Sequence, residues 1–186
     1  MQSTIDVLKT RRSVKKFNEK VVSREDIETI LEAAVNAPSG LDMQSPKILV
    51  LQRKDIIARF SEWNKSFYPE DVLKELPDDF DPFYGASTLI IVLADSCCPT
   101  YVQDGSLVIG NILNAASSIG IGACWIHRAR EEFESLQGQE LLKVWGLDKE
   151  HLEGIGHVVL GYPDEDYVVP DKYIKKDYVM YLDDLI

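Results

Sequence analysis

The stretch that decides the fold is Asp104–His127, DGSLVIGNILNAASSIGIGACWIH, which carries no charged side chain between its two ends. Its apolar residues cover most of a helical circumference, whereas the apolar face of a surface helix is only a stripe. We therefore expect a central helix that is buried on nearly all sides. The few polar side chains share one narrow face of that helix; they are Asn111, Asn114 and Ser118.

The two ends of this stretch indicate the core of a soluble protein. Asp104 is the expected N-cap, and Gly120 or Gly122 the expected end of the helix. Ala123–His127 is then expected to form a short buried strand, so the helix leads directly into a sheet. The uncharged run is long enough to cross a bilayer, but its four glycines, two asparagines and three serines favour the centre of a soluble fold.

Length and composition set the class of protein. A chain of 186 residues, of which 45% are hydrophobic, can bury one substantial core. No Pro/Gly/Ser-rich linker divides it, so we predict a single domain over residues 1–186. Three cysteines without ligand spacing indicate neither a disulfide framework nor a metal site. Met1 is followed by polar residues rather than an apolar signal segment, so we expect a reducing, cytoplasmic location.

The charge of the chain is unevenly distributed. The net charge of -11 argues against a general affinity for nucleic acid or for an anionic membrane. Lys9–Lys20, however, holds six basic residues and a single acidic one. An isolated cationic patch in an acidic protein is better matched to one small anion than to a polymer.

Within that patch, alternate residues favour a phosphate site. On an extended segment Arg11, Ser13 and Lys15 project to the same side. Two cations flanking a hydroxyl can clamp a phosphate, because guanidinium bonds its oxygens bidentately and serine adds a neutral donor. The alternative is that Arg11 and Arg12 complement the C-terminus of a short helix while the lysines are solvated. Spacing alone leaves both interpretations open.

Two segments are candidates for contact with a ligand. The loop Pro38–Pro46 is polar and rich in turn residues, which is typical either of a connecting turn or of a ligand loop using Ser39, Asp42 or Gln44. Asn64–Tyr84 is both acidic and aromatic. It is either a solvated excursion or a mobile flap over a flat apolar ligand.

Four apolar runs predict the sheet. Strands are expected near residues 48–51, 87–94, 123–127 and 155–160, separated by helical segments. This alternation predicts a three-layer α/β/α arrangement, in which a mixed central sheet carries helices on both faces. The chain ends in an amphipathic run beyond Pro170, which could dock on its own core or on a second subunit.

Four groups of residues occur in the order and spacing of one known family. They are RRSVKKF at Arg11–Phe17; APSG at Ala37–Gly40 followed by Gln44; Asp104 with Asn111, Ala115–Ala116 and GIGACWI at Gly120–Ile126; and GYP at Gly161–Pro163. On these motifs, which together span most of the chain, the sequence resembles the FMN-dependent nitroreductases. The resemblance implies a nitroreductase-like α+β fold in which two chains interlock into a homodimer and bind FMN in a groove at the interface.

The resemblance also implies which residues contact the cofactor. Arg11 and Ser13 are expected to hold the phosphate with Arg12 nearby, and either Lys172 or Lys175 to complete that site. Lys15 is expected at the pyrimidine edge of the flavin ring, and the backbone of Ile126 and His127 at its N5 edge. The partner subunit is expected to contribute Pro38, Ser39 and Gly40. Gln44, on the same loop, is expected to contact the cofactor as well. One departure is Asp42, which stands where the family usually has asparagine.

The implied activity is transfer of hydride from NADH or NADPH through FMN N5 to a flat organic acceptor, such as a nitroaromatic compound or a quinone. The chemistry belongs to the cofactor, so no catalytic side chain and no metal are expected. Donor and acceptor are expected to occupy one site in turn, which predicts ping-pong kinetics. Gly120 and Gly122 lack the third glycine of a dinucleotide fingerprint, so no separate Rossmann site for NAD(P)H is expected. The alternatives are a non-catalytic flavin sensor or storage protein, a specialised flavin dehydrogenase or dehalogenase, and a flavin-free protein that binds a phosphorylated partner or metabolite.

Overall fold

The structure is a computed structural model that describes residues 3–185. Its helices are α1 (Thr4–Thr10), α2 (Arg24–Val35), α3 (Lys54–Lys65), α4 (Glu70–Leu73), α5 (Tyr101–Ser118), α6 (Ala129–Glu134) and α7 (Leu136–Val144). Its strands are β1 (Pro46–Leu51), β2 (Thr88–Asp95), β3 (Gly122–Ile126) and β4 (Leu152–Gly161), and short 3-10 turns lie at Gly40–Asp42 and Leu182–Leu185. The start of the chain at Met1, on which the expected location rests, lies outside the described residues.

The four expected strands are present and form one sheet in the order β1-β2-β4-β3. Every neighbouring pair is antiparallel, so the expectation of a mixed sheet is wrong for the described residues. A continuous apolar run reports only that a strand is buried on both faces, which is typical of parallel sheets but does not fix strand direction. Here the antiparallel sheet is buried because helices cover both of its faces.

Two hydrophobic clusters confirm the three-layer arrangement. Helices α2 and α5 pack on one face of the sheet, where Ile30, Ile109, Ile112 and Val158 are almost wholly buried. Helices α3 and α6 pack on the other face, with Ile57, Phe60, Phe133 and Val159. The α+β fold implied by the resemblance is thus observed, with β2 and β4 at its centre.

The central helix is α5, and it begins one turn earlier than expected. Its N-cap position is Thr100 rather than Asp104. Asp104 lies in the first turn and is only 2% exposed, because its carboxylate accepts hydrogen bonds from a neighbouring loop. The helix ends before Gly120, which adopts φ +81, and β3 follows as expected.

Candidate functional site

The residues Arg11–Phe17, named here the cationic strip, lie extended along the edge of β3. The Val14 N–H donates to the carbonyl oxygen of Ala123 at 3.0 Å. This close approach requires Gly122, because a Cβ at that position would lie 3.0 Å from the Val14 side chain. Gly122, the first residue of β3, therefore makes room for the strip.

The far end of the strip is fastened to the end of β4. Phe17 pairs with Pro163, and a Cβ on Gly161 would come within 2.8 Å of the Phe17 ring. Lys16 forms an ion pair with Asp164 at 3.1 Å. The Asp166 backbone N–H and this lysine lower the pKa of Asp164. The GYP motif thus belongs to the segment that holds the strip in place.

The alternate side chains of the strip converge on Cys124 of β3. Burial raises the pKa of the Cys124 thiol, while a hydrogen bond with the Ser13 side chain and the charges of Lys15 and Arg11 act in the opposite direction. All three side chains therefore lie near enough to this buried sulfur to influence its ionisation. The structure brings Arg11, Ser13 and Lys15 together on one side, which is the arrangement that their spacing predicts.

Arg12 points elsewhere. Its guanidinium Nη1 donates to the carbonyl oxygens of Lys9 at 3.0 Å and Arg11 at 2.9 Å. These acceptors lie at the C-terminal end of α1, where a cation compensates for unpaired carbonyls. The helix-capping interpretation therefore describes Arg12, and the phosphate-clamp interpretation of Arg11 and Ser13 stays a prediction.

The tail lysines extend into the solvent. Lys172 and Lys175 are exposed, and within residues 3–185 neither forms an ion pair. The tail does leave the body of the protein beside the arginines, because Val169 lines a cavity of about 300 Å³ together with Arg11 and Arg12. Lys172 follows Val169 by only three residues.

The loop Pro38–Pro46 is held in place by hydrogen bonds to the buried carboxylate of Asp104. Gly40 N–H donates to Asp104 Oδ1 at 3.0 Å, and the Ser45 hydroxyl donates to Oδ2 at 2.8 Å. The Thr100 hydroxyl donates to Oδ2 at 3.1 Å. A carboxylate that would otherwise be buried without partners is satisfied by three uncharged donors. This loop is consequently a built feature rather than a loose connection.

The tip of the same loop has a strained backbone. Leu41, Asp42 and Gln44 adopt φ values of 52°, 55° and 51°, a region that L-residues other than glycine seldom occupy. Gln44 donates its backbone N–H to the Ser39 hydroxyl and its side-chain amide to Asp42, at 3.0 and 3.1 Å. The unusual Asp42 therefore has a partner in its own loop. Strain of this kind is characteristic of binding loops.

The acidic, aromatic segment lies against the strip. The Tyr68, Phe80 and Tyr84 rings pack edge to face, with centroids 5.7 and 6.3 Å apart. Lys15 Nζ lies 5.8 Å from the Tyr84 ring, and the Arg128 guanidinium lies 5.6 Å from the Tyr68 ring. Burial raises the pKa of both tyrosine hydroxyls. The segment thus forms an aromatic wall beside the cations.

The end of β3 presents backbone donors. His127 is exposed, and Arg128 adopts φ 80° where α6 begins. Within residues 3–185, neither of their N–H groups donates to another backbone carbonyl. Because free backbone N–H groups need a partner, water or a ligand must satisfy them. Sequence reasoning pointed to Ile126 and His127, and to Tyr68 and Tyr84 as part of a possible flap, but it gave no role to Arg128 or Cys124, which follow no recognisable spacing.

These features define a class of site, a groove with cations at one end of a strand and free backbone donors at the other, on an α/β/α fold. The family model described as "Nitroreductase family" matches residues 8–162. The chain belongs to the nitroreductase family. A protein of Archaeoglobus fulgidus named as an NADH dehydrogenase/NAD(P)H nitroreductase is 31% identical over 183 residues, covering 93% of this chain and 94% of that protein.

Two further comparisons extend this result. A crystal structure of a nitroreductase with bound FMN from Bacteroides fragilis is 25% identical, with a TM-score of 0.86 over 97% of this chain and 99% of that one. An iodotyrosine deiodinase of Thermotoga neapolitana is 26% identical over 135 residues, covering 66% of this chain and 73% of that protein. Among the residues that the structure describes, no helix is long and apolar enough to span a membrane.

Proposed function

We propose that this chain transfers hydride from NADH or NADPH to a flat organic acceptor, such as a nitroaromatic compound or a quinone, by a ping-pong mechanism. It is an NAD(P)H-dependent oxidoreductase of the nitroreductase family, and its cofactor is FMN. The observation that carries the proposal is the cationic strip with Arg11, Ser13 and Lys15, which is hydrogen-bonded through Val14 to the strand whose far end offers free N–H groups. When bound, FMN supplies the hydride chemistry at N5 of its ring.

The residues present fit an elongated cofactor with an anionic end. Arg11 and Ser13 would hold its phosphate, and Lys15 would meet the ring. From Cys124, on which the strip converges, to His127 the strand advances about 10 Å at roughly 3.3 Å per residue. The backbone N–H groups at His127 and Arg128 would then donate hydrogen bonds to the edge of the ring. The protein's contribution is to bind, orient and polarise the cofactor.

A homodimer completes the site in this proposal. The loop Pro38–Pro46 is anchored near the start of α5, whereas the strip contacts β3, which follows the end of that helix. Asp104 and Ser118 are about 20 Å apart at 1.5 Å per residue, so Pro38, Ser39 and Gly40 lie far from the strip of their own chain. A partner subunit can supply them instead.

The tail fits the same arrangement. Its large apolar side chains remain exposed, among them Tyr173 at 83% and Tyr178 at 77%. Exposed apolar surface of this extent marks an interaction site, and a second copy of the chain is the occupant proposed here. Because Val169 lines the cavity beside Arg11, we assign the late phosphate contact to Lys172 rather than Lys175.

The proposal is tested by the visible spectrum of the purified protein reconstituted with FMN. We expect a flavin spectrum that bleaches under anaerobic conditions when NADH or NADPH is added and returns when a quinone or nitroarene follows. Double-reciprocal plots of initial rate against acceptor concentration, measured at several donor concentrations, should be parallel. A colourless protein, a flavin that neither nucleotide reduces, or intersecting plots would contradict the cofactor, the activity and the ping-pong order respectively.

Reductive dehalogenation is a second candidate on the same site. It is favoured by the similarity to the Thermotoga neapolitana deiodinase, which is limited to part of both chains. The two functions are distinguished by following release of iodide from iodotyrosine by the reduced protein. Release at a rate comparable to quinone reduction would favour the dehalogenase.

A further inference from the structure

Three fully buried polar side chains meet behind the end of β3. They are Asn64 from α3, Glu132 from α6 and His157 from β4, and all three are 0% exposed. Asn64 Nδ2 donates to Glu132 Oε1 at 2.8 Å, and His157 Nε2 contacts Glu132 Oε2. We name these residues the buried triad. Burying a carboxylate costs free energy unless the group is fully hydrogen-bonded, so a triad of this kind indicates a specific role.

The buried triad is joined directly to the candidate cofactor site. Asn64 Nδ2 also donates to the carbonyl oxygen of His127 at 2.8 Å. His157 faces Ile126 across the sheet in the register of β3 and β4. The triad therefore contacts the last residues of β3 from the buried interior of the protein.

This contact fixes the direction of one peptide group. In a planar trans peptide the carbonyl of His127 and the N–H of Arg128 point in opposite directions. Because Asn64 holds that carbonyl toward the interior, the Arg128 N–H points outward. Arg128 has φ 80°, a conformation that a non-glycine residue keeps only when its surroundings hold it. The hydrogen bond from Asn64 provides such a restraint.

Glu132 determines which way the Asn64 amide is turned. A carboxylate oxygen only accepts hydrogen bonds, so the NH₂ group of Asn64 must face it. The same orientation directs the second N–H to the His127 carbonyl and leaves Asn64 Oδ1 without a protein partner. A flipped amide would place that oxygen against both acceptors. His157 in turn holds the carboxylate on its other oxygen.

We propose that Asn64 is a positioning residue that aims the Arg128 N–H at the edge of the bound flavin ring, with Glu132 and His157 locking its orientation. This inference rests on the proposed function. Asn64 does not touch the cofactor and acts only through the His127–Arg128 peptide. Without it, that peptide can rotate, so the ring loses one fixed hydrogen bond and its alignment with the hydride donor.

The test is Asn64→Leu, with Gln52→Leu as the matched control. Gln52 is also an amide that donates two hydrogen bonds, to the Val22 carbonyl and the Thr88 hydroxyl, but it is only partly buried and lies away from the site. At saturating FMN and NADH, we expect Asn64→Leu to reduce its flavin about 100-fold more slowly than the wild type, since small misplacements near reacting groups have effects of this size. The control should reduce flavin at the wild-type rate.

Two readouts do not depend on activity. The visible absorption maximum of bound FMN should shift in Asn64→Leu but not in Gln52→Leu, because hydrogen bonds to the ring change. In the protein without FMN, hydrogen exchange over residues 126–129 should accelerate only in the Asn64 variant. Where Asn64→Leu gives no folded protein, Asn64→Ala removes the same donors without adding bulk and is expected to show the same changes.

The failures are distinguishable. A wild-type protein that binds no FMN contradicts the proposed function, and this inference falls with it. A wild type that binds and reduces FMN, combined with Asn64 variants that match it in rate, spectrum and exchange, overturns the positioning role alone. Equal losses in the Asn64 and Gln52 variants would also overturn it, because they would indicate general destabilisation.

Discussion

Two buried carboxylates, Asp104 and Glu132, each support a turn with a left-handed backbone, but they do so differently. Asp104 holds its loop directly, since its oxygens accept hydrogen bonds from Gly40, Ser45 and Thr100. Glu132 acts through the amide of Asn64, and its second oxygen meets an imidazole. The outer loop is thus fastened by its own backbone and hydroxyls, whereas the inner peptide is held by a chain of side chains from three elements.

This difference separates two requirements of the site. The loop Pro38–Pro46 is proposed to serve a partner subunit, so it must keep its shape before that subunit arrives, and local hydrogen bonds suffice for this. The His127–Arg128 peptide is proposed to meet the cofactor of its own chain. Its orientation depends on the packing of α3, α6 and β4 together, so it is coupled to the core.

The largest effect is expected from Glu132→Ala. Removing one member of a buried hydrogen-bonded pair leaves His157 and Asn64 without their partner, which should lower the free energy of unfolding by about 3–5 kcal/mol. Urea unfolding followed by circular dichroism measures this. Glu134→Ala on the same helix is the control, because its exposed pair with Arg130 should contribute far less. Equal losses in the two variants would remove the contrast between buried and exposed carboxylates.

A smaller loss is expected from Asp104→Asn. Asparagine has one acceptor oxygen in place of two, so at least one of the three donors is left unpaired, at a cost of about 1–3 kcal/mol. Hydrogen exchange should accelerate over residues 38–46 while exchange over residues 126–129 stays at the wild-type rate. Asp42→Asn, at an exposed position in the same loop, provides the comparison. Accelerated exchange at both turns would show that they are not independent.

The smallest effect tests the left-handed backbone at Arg128. Arg128→Gly should be more stable than Arg128→Ala by about 1 kcal/mol, because only glycine adopts positive φ without strain. Both variants lose the ion pair with Glu131, so their difference isolates the backbone. Replacing Arg130 in α6 by the same two residues should reverse the order. If the alanine variant were more stable than the glycine variant at both positions, the backbone at Arg128 would not be strained.

The sequence predicts the parts of the fold that follow from local patterning. The four strands, the buried α5 and the convergence of Arg11, Ser13 and Lys15 follow from apolar runs and from the two-residue repeat of an extended chain. The prediction that Asp104 is the N-cap is wrong, because its carboxylate accepts hydrogen bonds from a loop that is distant in the sequence. The relative direction of the strands could not be predicted either, since burial does not determine it.

The supporting contacts of the site could not be predicted in this way. Asn64, Glu132 and His157 are separated by 68 and 25 positions and meet only through packing of three elements. The orientation of Arg12 is also a tertiary result, because both interpretations of the arginine pair are compatible with the same spacing. Only the resemblance indicated that the backbone near His127 matters, and it gave no indication of what holds that backbone.

The central claim is that Arg11, and not Arg12, binds the phosphate of FMN. Titration of the apoprotein with FMN, followed by quenching of flavin fluorescence, tests it in the wild type and in two variants. Because charge-assisted hydrogen bonds contribute about 1.5–3 kcal/mol, the dissociation constant of FMN should be about 10- to 100-fold larger for Arg11→Ala. For Arg12→Ala it should change by less than about threefold. Unchanged affinity in Arg11→Ala, or an equal loss in both variants, would contradict the account.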